Sequence, residues 1–325
     1  MSGKFWSRLI VALATSVLAT TAAVASDYPE RPITMVVTFS AGGSSDVLAR
    51  AVANALSQGL GKSVVVENRP GAGGHIGAEI VSRARPDGYT ILFGTNGTLG
   101  IGPAIYKNLR YNPAKDLVPV GILHKLPLML IVQNNIPANN LQEFIAYAKA
   151  HPGKLTFASA GVGTASHLSG ELLKEAAGIE ILHVPYKGGG GAAPDLLAGN
   201  VSMMIETIPT ALPFVANKQL RALGVTTRER SPTAPEVPTF AEQGLKDFDV
   251  TAWTGLFVPA GTPPEIIARL NAETLKIAQS PDYVAQIKKM GTDVATSSPE
   301  EFRKFVDTDV ARWTEVVKRS GAQID

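Results

Sequence analysis

The chain has 325 residues, no cysteine, and 30 basic side chains against 28 acidic ones. Disulfides, thiolate nucleophiles and cysteine-ligated zinc are thereby excluded, so the fold must rest on an apolar core. The first 25 residues carry two of the basic residues and no acidic one. The remainder is therefore balanced and offers no basic footprint for nucleic acid or membrane lipid.

In chain order, Lys4 and Arg8 precede an apolar run at 9–19, and Ala23-Val24-Ala25 supplies small residues for cleavage near Ser26. This is the pattern of a secretory signal peptide, and it predicts export to the periplasm. No later run approaches the roughly 18 apolar residues of a membrane span. A β-branched run at 33–39 reads as a strand, and 46–60 follows with Val47, Leu48, Ala51, Val52, Ala55 and Leu56 at helical spacing. A short strand at 64–66, a glycine-rich turn, a helix at 76–83 and a strand at 89–93 complete a first series. A second series has helix 141–150, strand 154–158, helix 166–176, strand 181–184, four glycines at 188–191, helix 192–198 and strand 201–205. The tail from Pro264 is helical, most clearly at 271–278 and 299–317. Strands alternating with helices predict an α/β fold whose sheets are mainly parallel.

The two series resemble each other. Phe39-Ser40-Ala41-Gly42-Gly43-Ser44 opens the first helix, and Ala158-Ser159-Ala160-Gly161-Val162-Gly163-Thr164 opens its counterpart. Further on, Asn68-Arg69-Pro70-Gly71 matches Pro185-Tyr186-Lys187-Gly188 in the same register. Two glycine-rich turns in register predict two lobes with similar βαβ cores. The apolar stretches 117–132 and 250–258 are the expected crossings between them, serving as hinge strands. The resulting division is a signal peptide at 1–25, one domain from 26–124 and 250–325, and a second from 125–249.

A helix N-terminus presents free N–H groups and a partial positive charge, which suits a carboxylate. The loops at 40–46 and 159–167 each deliver one at the carboxyl end of a strand, where ligands of open α/β sheets sit. Gly42, Gly43, Gly161 and Gly163 let a ligand approach the backbone, while Ser44, Ser45, Thr164 and Ser166 add hydroxyl donors. Either loop alone is better explained by ordinary capping, which Asp46 would satisfy. The duplication favours a ligand held between facing loops. The candidate set is Phe39, Ala41, Gly42, Gly43, Ser44 and Asp46 from the first loop. The second contributes Ser159, Ala160, Gly163, Thr164, Ala165, Ser166 and His167. Thr95, Asn96 and Tyr186 are candidate rim contacts. Glu206, ending an apolar strand, either accepts a hydrogen bond from the ligand or is simply solvated.

The five histidines show no metal-ligand spacing. No Gly-x-Ser-x-Gly elbow surrounds any serine. The glycine runs at 71–74 and 188–191 match neither a dinucleotide fingerprint nor a phosphate loop, so no metal or cofactor is expected. A Ser159–His167 pair leaves a periplasmic hydrolase as an alternative, and a solute sensor for a signalling partner as another.

Many separated motifs occur together: Tyr28-Pro29, Phe39-Ser40-Ala41-Gly42-Gly43, VVVENRPGAGG at 64–74, Pro86-Asp87-Gly88-Tyr89-Thr90, His167-Leu168, His183-Val184-Pro185-Tyr186-Lys187-Gly188, Arg221-Ala222-Leu223 and Pro259-Ala260-Gly261-Thr262-Pro263. In this the chain resembles the Bug-type extracytoplasmic solute receptors of tripartite tricarboxylate transporters, over its whole mature length. The resemblance implies a two-domain periplasmic binding fold that closes on a small carboxylate, dicarboxylate or amino acid. It places backbone amides and ordered waters at 41–46 and 159–167 around the ligand carboxylate. It also implies a non-enzymatic monomer that delivers its solute to integral membrane subunits. Glu206 and Asn112 stand where the family tends to have aspartate, and the first bears on which acid is bound.

Overall fold

The computed structural model describes residues 28–320, so the expected signal peptide at 1–25 lies outside the described residues. The first lobe begins with β1 (Ile33–Val37), α1 (Ser44–Leu60), β2 (Val64–Asn68), α2 (His75–Ser82) and β3 (Thr90–Thr95). A π-turn at Gly97–Ile101 and the short helices α3 (Gly102–Ile105) and α4 (Pro113–Asp116) lead into β4 (Leu117–Gln133). The second lobe contains α5 (Leu141–Ala150), β5 (Leu155–Ser159), α6 (Ala165–Ala177), β6 (Ile181–Pro185), α7 (Gly189–Ala198), β7 (Met203–Thr207), α8 (Ile208–Ala216) and β8 (Leu220–Val225). The chain returns through β9 (Thr251–Pro259) and finishes with α9 (Pro264–Gln279), α10 (Pro281–Lys289), the two-residue β10 (Asp293–Val294) and α11 (Pro299–Ser320).

Among the named strands, parallel pairing forms two equivalent triplets, β2-β1-β3 and β6-β5-β7. In each, the first strand of the series lies in the middle, so the internal resemblance seen in the sequence corresponds to repeated topology. Everything joining the triplets is antiparallel, which makes the sheets more mixed than alternation alone predicts. The reason is that β4 and β9 are shared. From Leu117 to Pro127, β4 pairs with β9; from Leu128 onward it pairs with β7 and β8. A single 17-residue strand thus belongs to both lobes, and the largest apolar cluster follows it from Val120 and Leu126 to Leu130 and Phe157.

Helix boundaries follow local chemistry. α1 buries Leu48, Val52 and Leu56 and stops at Gly61, whose φ of 69° is the left-handed geometry that glycine adopts without cost. At α5, Asn140 accepts from the Glu143 amide while the Glu143 carboxylate takes the Asn139 N–H, a reciprocal cap. α7 starts inside the glycine run, earlier than the expected residue 192, because Gly188 has a φ of 138° and turns the chain directly into the helix.

Candidate functional site

The lobes meet along the carboxyl ends of β1, β3, β5 and β7. Hydrogen bonds join the facing loops across the cleft. Ser40 N donates to Lys187 O at 3.2 Å, and Ser44 N to Thr210 Oγ1 at 3.2 Å. Thr207 Oγ1 lies 2.9 Å from Ser44 Oγ, and Tyr106 Oη donates to Val162 O at 3.2 Å. The loops are therefore closed on each other, and between them lies a cavity with about 560 Å³ of empty space, partly open to solvent.

Three helices of substantial length begin at this cavity. α1 contributes Ser44 and Ser45, α6 contributes Ala165 and Ser166 behind Thr164, and α7 contributes Gly188 and Gly189. Neither α1 nor α7 has a side-chain cap, since both are preceded by glycine. Ser44 N is taken by Thr210 Oγ1, but the following amide of α1 and the first amide of α7 carry no side-chain cap, and both helix dipoles favour an anion. Gly97 opens the π-turn on the first-lobe side. Leu126 of β4 and Ala252, Trp253 and Thr254 of β9 form the floor. Among the described residues, no lysine, arginine or histidine lines the cavity.

One titratable group does. Glu206 is 4 % exposed; its Oε1 accepts from Thr207 N at 2.8 Å and Thr207 Oγ1 at 3.0 Å. Oε2 has no hydrogen-bond partner, and a Cβ placed on Gly189 would lie 2.6 Å from it. Burial raises the pKa of this carboxyl, against the lowering effect of Thr207 and of nearby Ser166. Ser166 Oγ acts on its charge without a hydrogen bond of ordinary geometry.

Of the residues singled out in the sequence, Phe39, Gly43, Ser44, Thr95, Ala160, Thr164, Ala165, Ser166 and Glu206 stand in the wall. The others stand outside it or behind it. Ala41 and Gly42 are exposed at the loop tip, and Asp46 turns back to accept from Gly42 N at 3.1 Å and to pair with Arg50 at 2.9 Å. Asn96 is buried beneath the π-turn. Ser159 Oγ lies 2.6 Å from His183 Nε2, not on His167, and also accepts from Gly161 N. His167 Nδ1 accepts from Gly163 N, and its ring stacks on His183 with centroids 4.1 Å apart. Burial, then the neighbouring His183 and Lys174, brings its pKa down to about 3. Tyr186 is tied to Asp195 at 2.5 Å. These side chains shape the loops from behind, which residue type alone does not distinguish from lining the cavity.

Sequence reasoning missed Ser40, Gly97, Gly189, Thr207 and the β9 floor as wall residues. Gly188 and Gly189 were recoverable, since the duplicated glycine turns were already in register. Trp253 was not, because its place depends on how β9 crosses under the loops.

A model of the tripartite tricarboxylate transporter family receptor matches residues 48–322. The chain belongs to that family. Protein BugT of Bordetella pertussis is 38 % identical over 301 residues, covering 92 % of each chain. Among solved structures, Rpa4515 of R. palustris with adipate has a TM-score of 0.89 at 35 % identity, covering 91 % of this chain and 99 % of its own. MatC from Rhodopseudomonas palustris with bound malate has a TM-score of 0.85 at 36 % identity, covering 89 % and 100 %. The chain is thus a solute receptor with the two-lobed periplasmic binding fold.

Proposed function

We propose that this receptor binds a small carboxylate in the interdomain cleft and hands it to the integral membrane subunits of a tripartite transporter. The observation that carries the reading is the convergence of the N-termini of α1, α6 and α7 on a cavity with no cationic side chain. Backbone dipoles and hydroxyls then hold the anion, with Ser44, Ser45, Ser166 and the amides of Gly43 and Gly189 in contact, while Thr164, whose hydroxyl donates to Gly161 O, caps α6 beside them. The adipate and malate of the two structural relatives support this ligand class. The lobes, divided at 26–124 with 250–325 and at 125–249, rotate about β4 and β9. The protein works as a periplasmic monomer after loss of its leader. It catalyses nothing: Ser159, the serine of the hydrolase alternative, is fully buried and committed to His183 and Gly161.

The test is a thermal-shift screen of mono-, di- and tricarboxylates and amino acids on protein refolded to remove retained ligand. A true ligand at a hundredfold excess over its Kd adds about 2.7 kcal/mol of stability. The absence of a shift from every acid in such a panel would overturn the reading.

A further inference from the structure

The carboxylate reading leaves a chemical problem at Glu206. A bound anion would enter a cavity that already contains a buried carboxyl and no side-chain cation. We propose that Glu206 carries a proton and donates it in a hydrogen bond from Oε2 to a carboxylate of the ligand, so that the receptor takes up a proton together with its anion. This rests on the function proposed above and adds to it the protonation state in which the ligand is held.

The geometry assigns the two oxygens different work. Oε1 already accepts from the backbone and side chain of Thr207, so it is the wrong place for a proton. Oε2 is buried, has no donor and faces the Gly189 backbone at the cavity wall. An acceptor-only oxygen there would leave an unpaired buried charge, whereas a protonated one becomes the donor that a carboxylate needs.

No charged neighbour relieves this; Thr207 and the Ser166 hydroxyl of α6 only offset part of the effect of burial. On α1, Asp46 is paired with Arg50, and only Ser44 and Ser45 face the cavity. On α6, His167 is bonded to Gly163 N, and Glu171 is held by Lys174 at 2.7 Å. On α7, Asp195 is engaged by Tyr186 and Asn200. On β4, apolar Met129 lies opposite Glu206, and α8 presents the neutral hydroxyl of Thr210. Burial raises the carboxyl's pKa, and a bound anion raises it further, so ligand and proton assist each other.

The sign follows directly. A group whose pKa rises on binding takes up a proton, and affinity weakens as pH climbs above the free-state pKa, by up to about tenfold per pH unit. The experiment is isothermal titration of succinate, adipate and malate in buffers of different ionisation enthalpy. It runs from about pH 6 to about pH 9, above the ligands' own ionisations. Wild type is expected to show proton uptake approaching one per ligand, with falling affinity at the alkaline end. Glu206→Gln keeps an acceptor for Thr207 and a neutral donor toward the cavity. It should bind the same acids with no proton uptake and a flat pH profile. Binding by wild type with no proton uptake at any pH, together with tighter binding of aspartate or glutamate through their ammonium group, would overturn the proposal while leaving the carboxylate reading intact. Failure of every acid to bind wild type would overturn both.

Discussion

His124 offers a quantitative test of how the crossing strand is held. It is fully buried on β4, with Nδ1 2.8 Å from Thr254 Oγ1 and Nε2 2.7 Å from Tyr283 Oη. Thr254 is part of the cavity floor, so this ring links α10 through β4 to the ligand site. Burial lowers its pKa from 6.5 to about 3. The folded state therefore holds a neutral ring that the unfolded chain would protonate, and stability is lost as pH falls below 6.5. At about pH 5 the unfolded-state histidine is protonated roughly thirtyfold over neutral, a loss of about 2 kcal/mol relative to neutral pH. Glu206 and Asp309 act in the opposite sense, because their folded-state pKa values are raised. A direct comparison of wild type with His124→Gln cancels them. Urea unfolding at about pH 7.5 and about pH 5 should show wild type losing about 2 kcal/mol more than the variant over that interval. Equal losses in the two proteins would refute the assignment of a neutral, buried imidazole to this position.

Gly43→Val should abolish ligand binding with the fold retained. Gly43 has an ordinary φ of −88°, and its nearest neighbour to an added Cβ is Gly190 N at 3.5 Å, so the branched methyls intrude between the loops rather than strain the chain. Gly163→Val should act differently: with a φ of +76° and a Cβ 3.1 Å from Ile105 and Tyr106, it should lower the melting temperature and hold the lobes apart in small-angle scattering. Ser159→Ala leaves His183 and Gly161 N short of a partner and should cost about 1–3 kcal/mol in unfolding with unchanged ligand affinity. A large affinity loss at unchanged stability would instead place Ser159 against the ligand. Trp253→Phe removes the Nε1 donor that sits 2.7 Å from Asp309 Oδ2. It should destabilise by about 1.5–3 kcal/mol and weaken binding by loosening the floor, measured by calorimetry.

Period and turn chemistry determined much of this protein before any coordinates. β-branched runs between helical stretches specify α/β units, and glycines that only tight βα turns require mark where the helices start. Repetition of those turns disclosed two lobes and a shared cleft. These are local properties, set by the backbone preferences of a few consecutive residues. The antiparallel joining of the two triplets was a different matter, because Leu117 to Gln133 is equally apolar whichever partner it takes. The same limit applies to the site. Ser159 and Ser166 are both small hydroxyls in one loop, yet one bonds His183 behind the wall and the other faces the cavity. Glu206 read equally well as a solvated strand end, and only the packing of α7 over β7 buried it beside Gly189. Which atoms meet across the cleft depends on segments more than a hundred residues apart, and that distance is closed by tertiary packing alone.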